Sequence, residues 1–272
     1  MRNHESPTTA PATADTATRG DAMVSATERV PSRRERLRAE ATGQILEIAL
    51  RQMAAEGPGG ISLRGIARDM GMTPRAIYSY FATRDELITA LIRALSTGLA
   101  DALERARDDA PACDPERRLL AWGQALRTWA LANPQGFHLV YGDPIPGYQP
   151  PPGPGPVDEA ALRICGGLNR LVAAAGSGPG PAPGAAEADW AAFPPAYRDR
   201  VRAEAPDLTP AVAARALRVW GRLHGLVTLE IHGHLRAVHT DPAALYRAEM
   251  LDLVRDLERD AEHAVDRARP DA

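Results

Sequence analysis

ISLRGIARDMGMTPRAIYSYFATRDE, residues 61–86, writes out two short helices, the turn between them and the start of a third helix. Ser62 is a good N-cap, because its hydroxyl can accept from a free amide of the first helical turn. Ile61 before it and Ile66 at the fourth helical position can close a hydrophobic staple. Leu63, Ile66, Ala67 and Met70 repeat at helical spacing and form one apolar face. Ala67 leaves room for a crossing helix. Gly71 comes where the chain must leave the helix, and glycine takes the left-handed conformation that such a stop needs. Met72 plugs the corner. Thr73 can cap the next helix with Pro74 at its first position, where a missing amide hydrogen costs nothing. Ile77 and Phe81 face the core, and Arg75, Ala76, Ser79 and Tyr80 face away from it. Thr83 and Glu86 have the spacing of a capping box for a further helix.

Two short helices, a sharp turn and the start of a third helix make a helix-turn-helix. An ordinary helical hairpin with a glycine turn would account for Ala67 and Gly71 alone. The caps, the staple and the outward Arg/Ser/Tyr face favour a helix presented to the major groove of DNA. Upstream, Ala39 to Glu56 reads as a first helix with Ile45, Ile48, Ala49 and Met53 on one face, and Gly57 ends it.

On these residues the chain resembles the TetR family of bacterial transcriptional regulators. The family pattern runs through residues 61–67, 71–73, 76–81 and 84–87, and covers roughly sixty residues with the first helix. Arg84 stands where the family usually has lysine. The chain has no lysine at all, since its 32 Lys+Arg residues are all arginine. Arginine keeps the phosphate-contacting role with a different, planar geometry. Further on, WGRLHGLVTLEIHGH (220–234) resembles the block of a subgroup named for a C-terminal Trp/His/Gly domain, and FHLVYGDPIPGY (137–148) resembles its second block.

The resemblance implies an all-α fold, and no strand-like alternation of useful length contradicts it. The expected organisation is a disordered basic tail over 1–37, a DNA-binding domain over 38–98 with its motif at about 62–81, and a helical regulatory and dimerisation domain over 99–264. Met1 to Thr27 is rich in Thr, Ala, Pro and Asp and lacks the apolar block of a secretory signal. The 272 residues are 44% hydrophobic, enough for a real core, and no apolar run approaches a membrane span. No membrane partner is therefore expected. Cys113 and Cys165 stand alone, outside any Cys-x-x-Cys spacing, so neither a disulfide scaffold nor a zinc ribbon fits. A cytoplasmic location follows by default.

A formal net charge of −3 by itself argues against a nucleic-acid protein. Its distribution says otherwise. Residues 29–84 hold ten arginines against five acids, which is +5 and leaves −8 on the remainder. A basic head on an acidic body suits a protein whose head alone meets phosphate.

The remaining helices are read from punctuation. Thr83 to about Asp109 is one helix with Leu87, Ile88, Leu91, Ile92, Leu95 and Leu99 as its stripe. Pro115 to Ala132 is another, and a short one follows from Pro134 through Tyr141. Prolines crowd 144–156 and exclude a helix there. Asp158 to about Ala175 is helical, Gly176 to Gly184 is a Gly/Pro-rich linker, and Trp190, Phe193 and Tyr197 suggest a short packed segment. Pro210 to about Leu235 is a long helix with 213, 216, 217, 220, 223, 224, 227 and 231 on its apolar face. Gly221 and Gly225, one turn apart, allow another backbone close. Asp241-Pro242 starts the last helix. Two long amphipathic helices at the C-terminus match the pair that forms a four-helix bundle between two TetR-like subunits, so a homodimer on a near-palindromic double-stranded operator is expected.

Arg75, with Ala76, is placed to reach base edges, and an arginine there favours guanine. Thr73, Tyr78, Tyr80, Arg64 and Arg84 are placed on phosphates, and Pro74 and Ser79 complete the DNA face. The resemblance surrounds a ligand cavity with Trp122, Leu126, Trp129, Phe137, Tyr141, Trp190, Trp220 and His224. Each alone is an ordinary core residue; together they suit an apolar or aromatic effector. The implied function is a transcriptional repressor released by a small molecule. The alternative is a helical ligand-binding or enzymatic protein whose head no longer reads DNA.

His224, Glu230, His232 and His234 crowd near the C-terminus. On a continuous helix His232 and His234 point to nearly opposite faces. Only Glu230 and His234 share one, and two ligands do not make a zinc site. No metal is expected there; His224 reads as a packed polar residue and His234 as a helix-end cation. No catalytic triad, carboxylate pair or nucleotide loop is legible, so neither a catalytic residue nor a cofactor is expected.

Overall fold

Helix punctuation sets the architecture of this chain. The computed structural model describes residues 32–152, 156–176 and 189–268, and every regular element among them is helical. The order is α1 (Arg33–Glu56), α2 (Leu63–Asp69), α3 (Pro74–Ile77), α4 (Arg84–Asp109), α5 (Pro115–Ala132), α6 (Pro134–Tyr141), α7 (Pro156–Ala175), α8 (Pro195–Glu204), α9 (Pro210–Ile231) and α10 (Pro242–Ala268). Seven of the ten carry proline at their first residue, where its fixed φ suits the helix and its missing N–H is not needed. Among the described residues no helix is long and apolar enough to cross a membrane.

The described residues fall into two units, divided after Glu40. In the first, Ser32 and Glu35 close a capping box: the Ser32 amide donates to Glu35 Oε2 at 2.6 Å, and the Glu35 amide to Ser32 Oγ at 3.2 Å. The helix thus starts six residues before the expected Ala39. The rest of the expected tail, 1–31, lies outside the described residues, as does the linker from 177 onward.

The second unit holds two apolar clusters threaded by one helix. Leu87, Ile88, Ala90 and Leu91 of α4 pack with α1, α2 and α3. Leu99, Ala100 and Leu103 of the same helix pack with α5, α6, α7, α9 and α10. Gly136 brings α6 against α4 between these clusters, because a Cβ there would stand 2.7 Å from Leu95 Cδ2. On the far side, a Cβ at Gly123 of α5 would meet the Met250 side chain of α10 at 2.5 Å. Tyr246 of α10, buried beside it, donates its hydroxyl to the Gly123 carbonyl at 2.8 Å.

Two details of α9 depart from the sequence reading. Its buried face carries Ala213, Arg215, Ala216, Val219, Leu223 and Val227, while Leu217 is 50% exposed. The helix also stops at Ile231, before Leu235. Gly233 takes φ 77° and turns the chain into a short 3-10 segment, His234–Ala237. His232 and His234 therefore do not diverge as on a continuous helix; their rings stack with centroids 5.9 Å apart. His232 also meets His138 of α6 edge-on at 4.6 Å. Burial and this neighbour lower the His138 pKa. Among the described residues no group of three His, Cys, Asp or Glu side chains is arranged to hold a metal ion.

Candidate nucleic-acid interface and ligand site

The head is assembled from caps. Ser62 Oγ accepts from the Gly65 amide at 3.3 Å, Thr73 Oγ1 from Ala76 at 3.3 Å, and Thr83 Oγ1 from Glu86 at 3.1 Å. Glu86 reaches back to the Ala82 amide at 2.8 Å, one residue before the cap. Gly71 takes φ 64° and reverses the chain between α2 and α3. Ile61 and Ile66, the staple pair, are both buried. One clamp had no sequence signal. Gln52 of α1 accepts from the Ser62 amide at 3.1 Å and donates to Asp69 Oδ2 at 3.3 Å, so it holds both ends of α2. Gly65 makes room for it, since a Cβ there would stand 2.9 Å from Gln52 Nε2.

The short helix after the turn is α-helical only from Pro74 to Ile77. Ser79 and Tyr80 then bond to the carbonyls of Ala76 and Ile77, three residues back, and this tighter turn carries the chain to Phe81. Thr73, Pro74, Arg75, Tyr78 and Ser79 are exposed; Ala76 and Tyr80 are half-buried. Tyr80, read as facing away, packs against the head cluster. Ser62, Arg64, Tyr78, Thr83 and Arg84 line one open recess beside the N-terminus of α4. Hydroxyls, a phenol and two guanidinium groups at the positive end of a helix suit a phosphate. Arg84 also donates its Nε to the Ile61 carbonyl at 3.3 Å, which anchors the side chain across the recess.

Seven of the eight expected ligand-site residues come together. Trp122, Leu126 and Phe137 are buried in the body cluster, with Trp129, Tyr141 and Trp220 packed against it. His224 meets Phe137, Tyr141 and Trp220, with ring centroids 4.9, 5.0 and 5.2 Å away. Trp122 lies edge-on to Trp220 at 6.2 Å. Burial lowers the His224 pKa and raises that of Tyr141. Trp190 does not join them. It packs with Phe193, Tyr197, Val201, Leu208 and Ala213 in a separate small cluster around α8. Arg127 of α5 makes a two-pronged ion pair with Glu230 of α9, at 2.8 and 2.5 Å, and lies over the Tyr246 ring.

The loop after α6 reaches the other cluster. Ile145 is 8% exposed and belongs to the head's apolar cluster, with Leu139 and Tyr148 packed against it. The Gln149 amide donates to Asp85 Oδ2 at 3.1 Å. The prolines around 144–156 hid this segment from any periodicity argument.

Known proteins are similar to this chain in sequence and fold. A family model described as "Bacterial regulatory proteins, tetR family" matches residues 45–91, and one described as "Tetracyclin repressor-like, C-terminal domain" matches 119–253. HTH-type transcriptional regulator Mb1846 of Mycobacterium bovis is 35% identical over 240 residues, which is 86% of this chain and 98% of that protein. The chain belongs to the TetR family. HTH-type transcriptional regulator Rv1816 of Mycobacterium tuberculosis matches to the same extent. The crystal structure of protein SCO4313 is 36% identical, covers 82% of this chain and 98% of that one, and superposes with a TM-score of 0.64. A Rhodococcus sp. RHA1 protein of unknown function, 23% identical with a TM-score of 0.57, shares the fold. This TetR-family chain is a DNA-binding transcriptional regulator, all-α, with a helix-turn-helix head and a helical body.

Proposed function

We propose that the chain is a cytoplasmic, homodimeric repressor, released from a near-palindromic operator by an apolar or aromatic small molecule. It catalyses no reaction in this reading. The observation that carries it is the path from the aromatic cluster to the head. Phe137 and Tyr141 of α6 pack on His224, and the loop that leaves α6 buries Ile145 in the head's cluster and bonds to the first two turns of α4. A molecule that displaces α6 changes the support of the recognition helix, which couples the two sites by about 1–3 kcal/mol in a typical case.

Dimerisation is supported by α9 and α10. Leu217, Leu229 and Leu251 are exposed, and a Cβ at Gly221 or Gly225 would meet nothing within 4 Å. A leucine-and-glycine surface of this kind suits close packing against a second copy. Two copies would set the recognition segments about 34–36 Å apart, one turn of duplex, or at a related spacing. DNA selection from a random pool tests the reading. The expected result is a two-fold symmetric site bound by a dimer in sedimentation, with affinity falling steeply with salt. Selection of no common sequence would leave the alternative, a helical ligand-binding or enzymatic protein with a silent head.

A further inference from the structure

The inner side of α9 carries a polar atom with no hydrogen-bond partner, and its protonation state follows from one threonine. Thr228 Oγ1 donates its single hydrogen to the His224 carbonyl at 2.8 Å. The same oxygen lies 3.3 Å from His224 Nδ1. With its hydrogen committed, the hydroxyl can only accept there, so Nδ1 carries the ring proton and donates. Enclosure by the rings of Phe137, Tyr141 and Trp220 disfavours the imidazolium and keeps the ring neutral. A neutral imidazole protonated at Nδ1 exposes a bare lone pair at Nε2. That atom is buried and unpartnered.

We infer that His224 Nε2 is the polar anchor of the effector site, and that the effector is an uncharged aromatic molecule presenting a hydroxyl or N–H donor to it. The inference rests on the ligand-responsive reading proposed above and narrows it. Phe137, Tyr141 and Trp220 border the imidazole, so a molecule that reaches Nε2 meets aromatic surface, which suits an aromatic body. An ether, ketone or carboxylate would set acceptor against acceptor and leave both unpaired. A buried cation would find no counter-charge on this stretch of α9, because Glu230 is already neutralised by Arg127. A donor-bearing ligand would give this acceptor its hydrogen bond.

Two measurements on the full-length protein test this. Nitrogen-15 spectra of the histidine rings at neutral pH should show His224 with a pyrrole-type Nδ1 and a pyridine-type Nε2. A proton on Nε2 overturns the inference. Calorimetry should then compare 2-naphthol with 2-methoxynaphthalene, which share the ring system and differ in the donor. The expected result is about ten-fold tighter binding of the naphthol, the worth of one net hydrogen bond. His224→Phe keeps the ring and removes the acceptor, and should bring the ratio to about one. Equal binding of the pair by the native protein, a preference that survives His224→Phe, or no binding of either compound overturns it. None of these readouts involves DNA. A chain that discriminates the pair and still selects no operator would sink the proposed repressor function while leaving this site standing, and the reverse outcome would do the opposite.

Discussion

The Tyr148 hydroxyl lies 3.0 Å from the Thr89 hydroxyl. Thr89 donates its own hydrogen to the Asp85 carbonyl at 2.8 Å, so Tyr148 is the donor between the two. This bond, the Gln149–Asp85 bond and the burial of Ile145 fasten the loop after α6 to the start of α4, the helix that carries the head.

Tyr148→Phe removes that donor and little else. A part-buried hydrogen bond contributes about 1 kcal/mol, and urea denaturation should show a loss of that size. Amide exchange should speed up in the first turns of α4, from Asp85 to Leu91, and stay unchanged in α9. Unchanged exchange in α4 would mean that the loop rests on the head without holding it.

Ile145→Ala tests the apolar half of the same attachment. The side chain is 8% exposed within the head's cluster. Truncating a buried isoleucine costs about 2–5 kcal/mol, whereas an exposed position costs less than about 0.5 kcal/mol. A loss in the lower range, measured by urea denaturation, would place this side chain outside the core.

Residues 61–86 were legible because their signals are local. A cap or a glycine stop involves partners within a few positions, and the three caps and the turn at Gly71 are present. What the sequence concealed is long-range. Gln52 reaches residues 62 and 69, Tyr246 reaches Gly123, and Ile145 joins a cluster begun a hundred residues earlier. None of these has a periodicity to betray it. The error at His232 and His234 has another source. Gly233 sits inside an apolar helical pattern, where a stop and a tolerated glycine look alike. Arg215 is buried and Leu217 is exposed, so residue polarity alone does not mark the face that α9 turns to its own body.

The Arg127–Glu230 pair should show strong coupling. Its side chains are only 13% and 12% exposed. Arg127→Met alone leaves a mostly buried carboxylate without its partner and should cost about 3–5 kcal/mol. Arg127→Met with Glu230→Leu removes both charges and should cost clearly less. A double mutant as unstable as the sum of the singles, by urea denaturation, would mean that the two residues act independently.

Acid stability should depend on Glu104. Its hydrogen bonds to Arg163, at 3.0 and 2.5 Å, hold its carboxyl below the usual value of 4.5. A carboxylate with a lowered folded pKa contributes stability that is complete above the unfolded value and is lost as pH falls through the folded one. Glu104→Gln should therefore be less stable at neutral pH and show a shallower decline below pH 4.5. Parallel acid limbs in the two proteins would mean that the pair does not form in solution.

Arg75 and Arg64 should separate sequence reading from charge. Both are exposed on the head, Arg75 on α3 and Arg64 on the recess beside α4. Arg75→Ala should relax the preference at one base pair of the selected site, by about 1–3 kcal/mol of discrimination. Arg64→Ala should weaken all sequences alike and reduce the log–log salt slope by about one per head. Competition against a panel of single-base operator variants, repeated at several salt concentrations, distinguishes the two. Arg75 would lose its assignment if its removal scaled every operator variant by one common factor, because a side chain that touches only the backbone carries no base information.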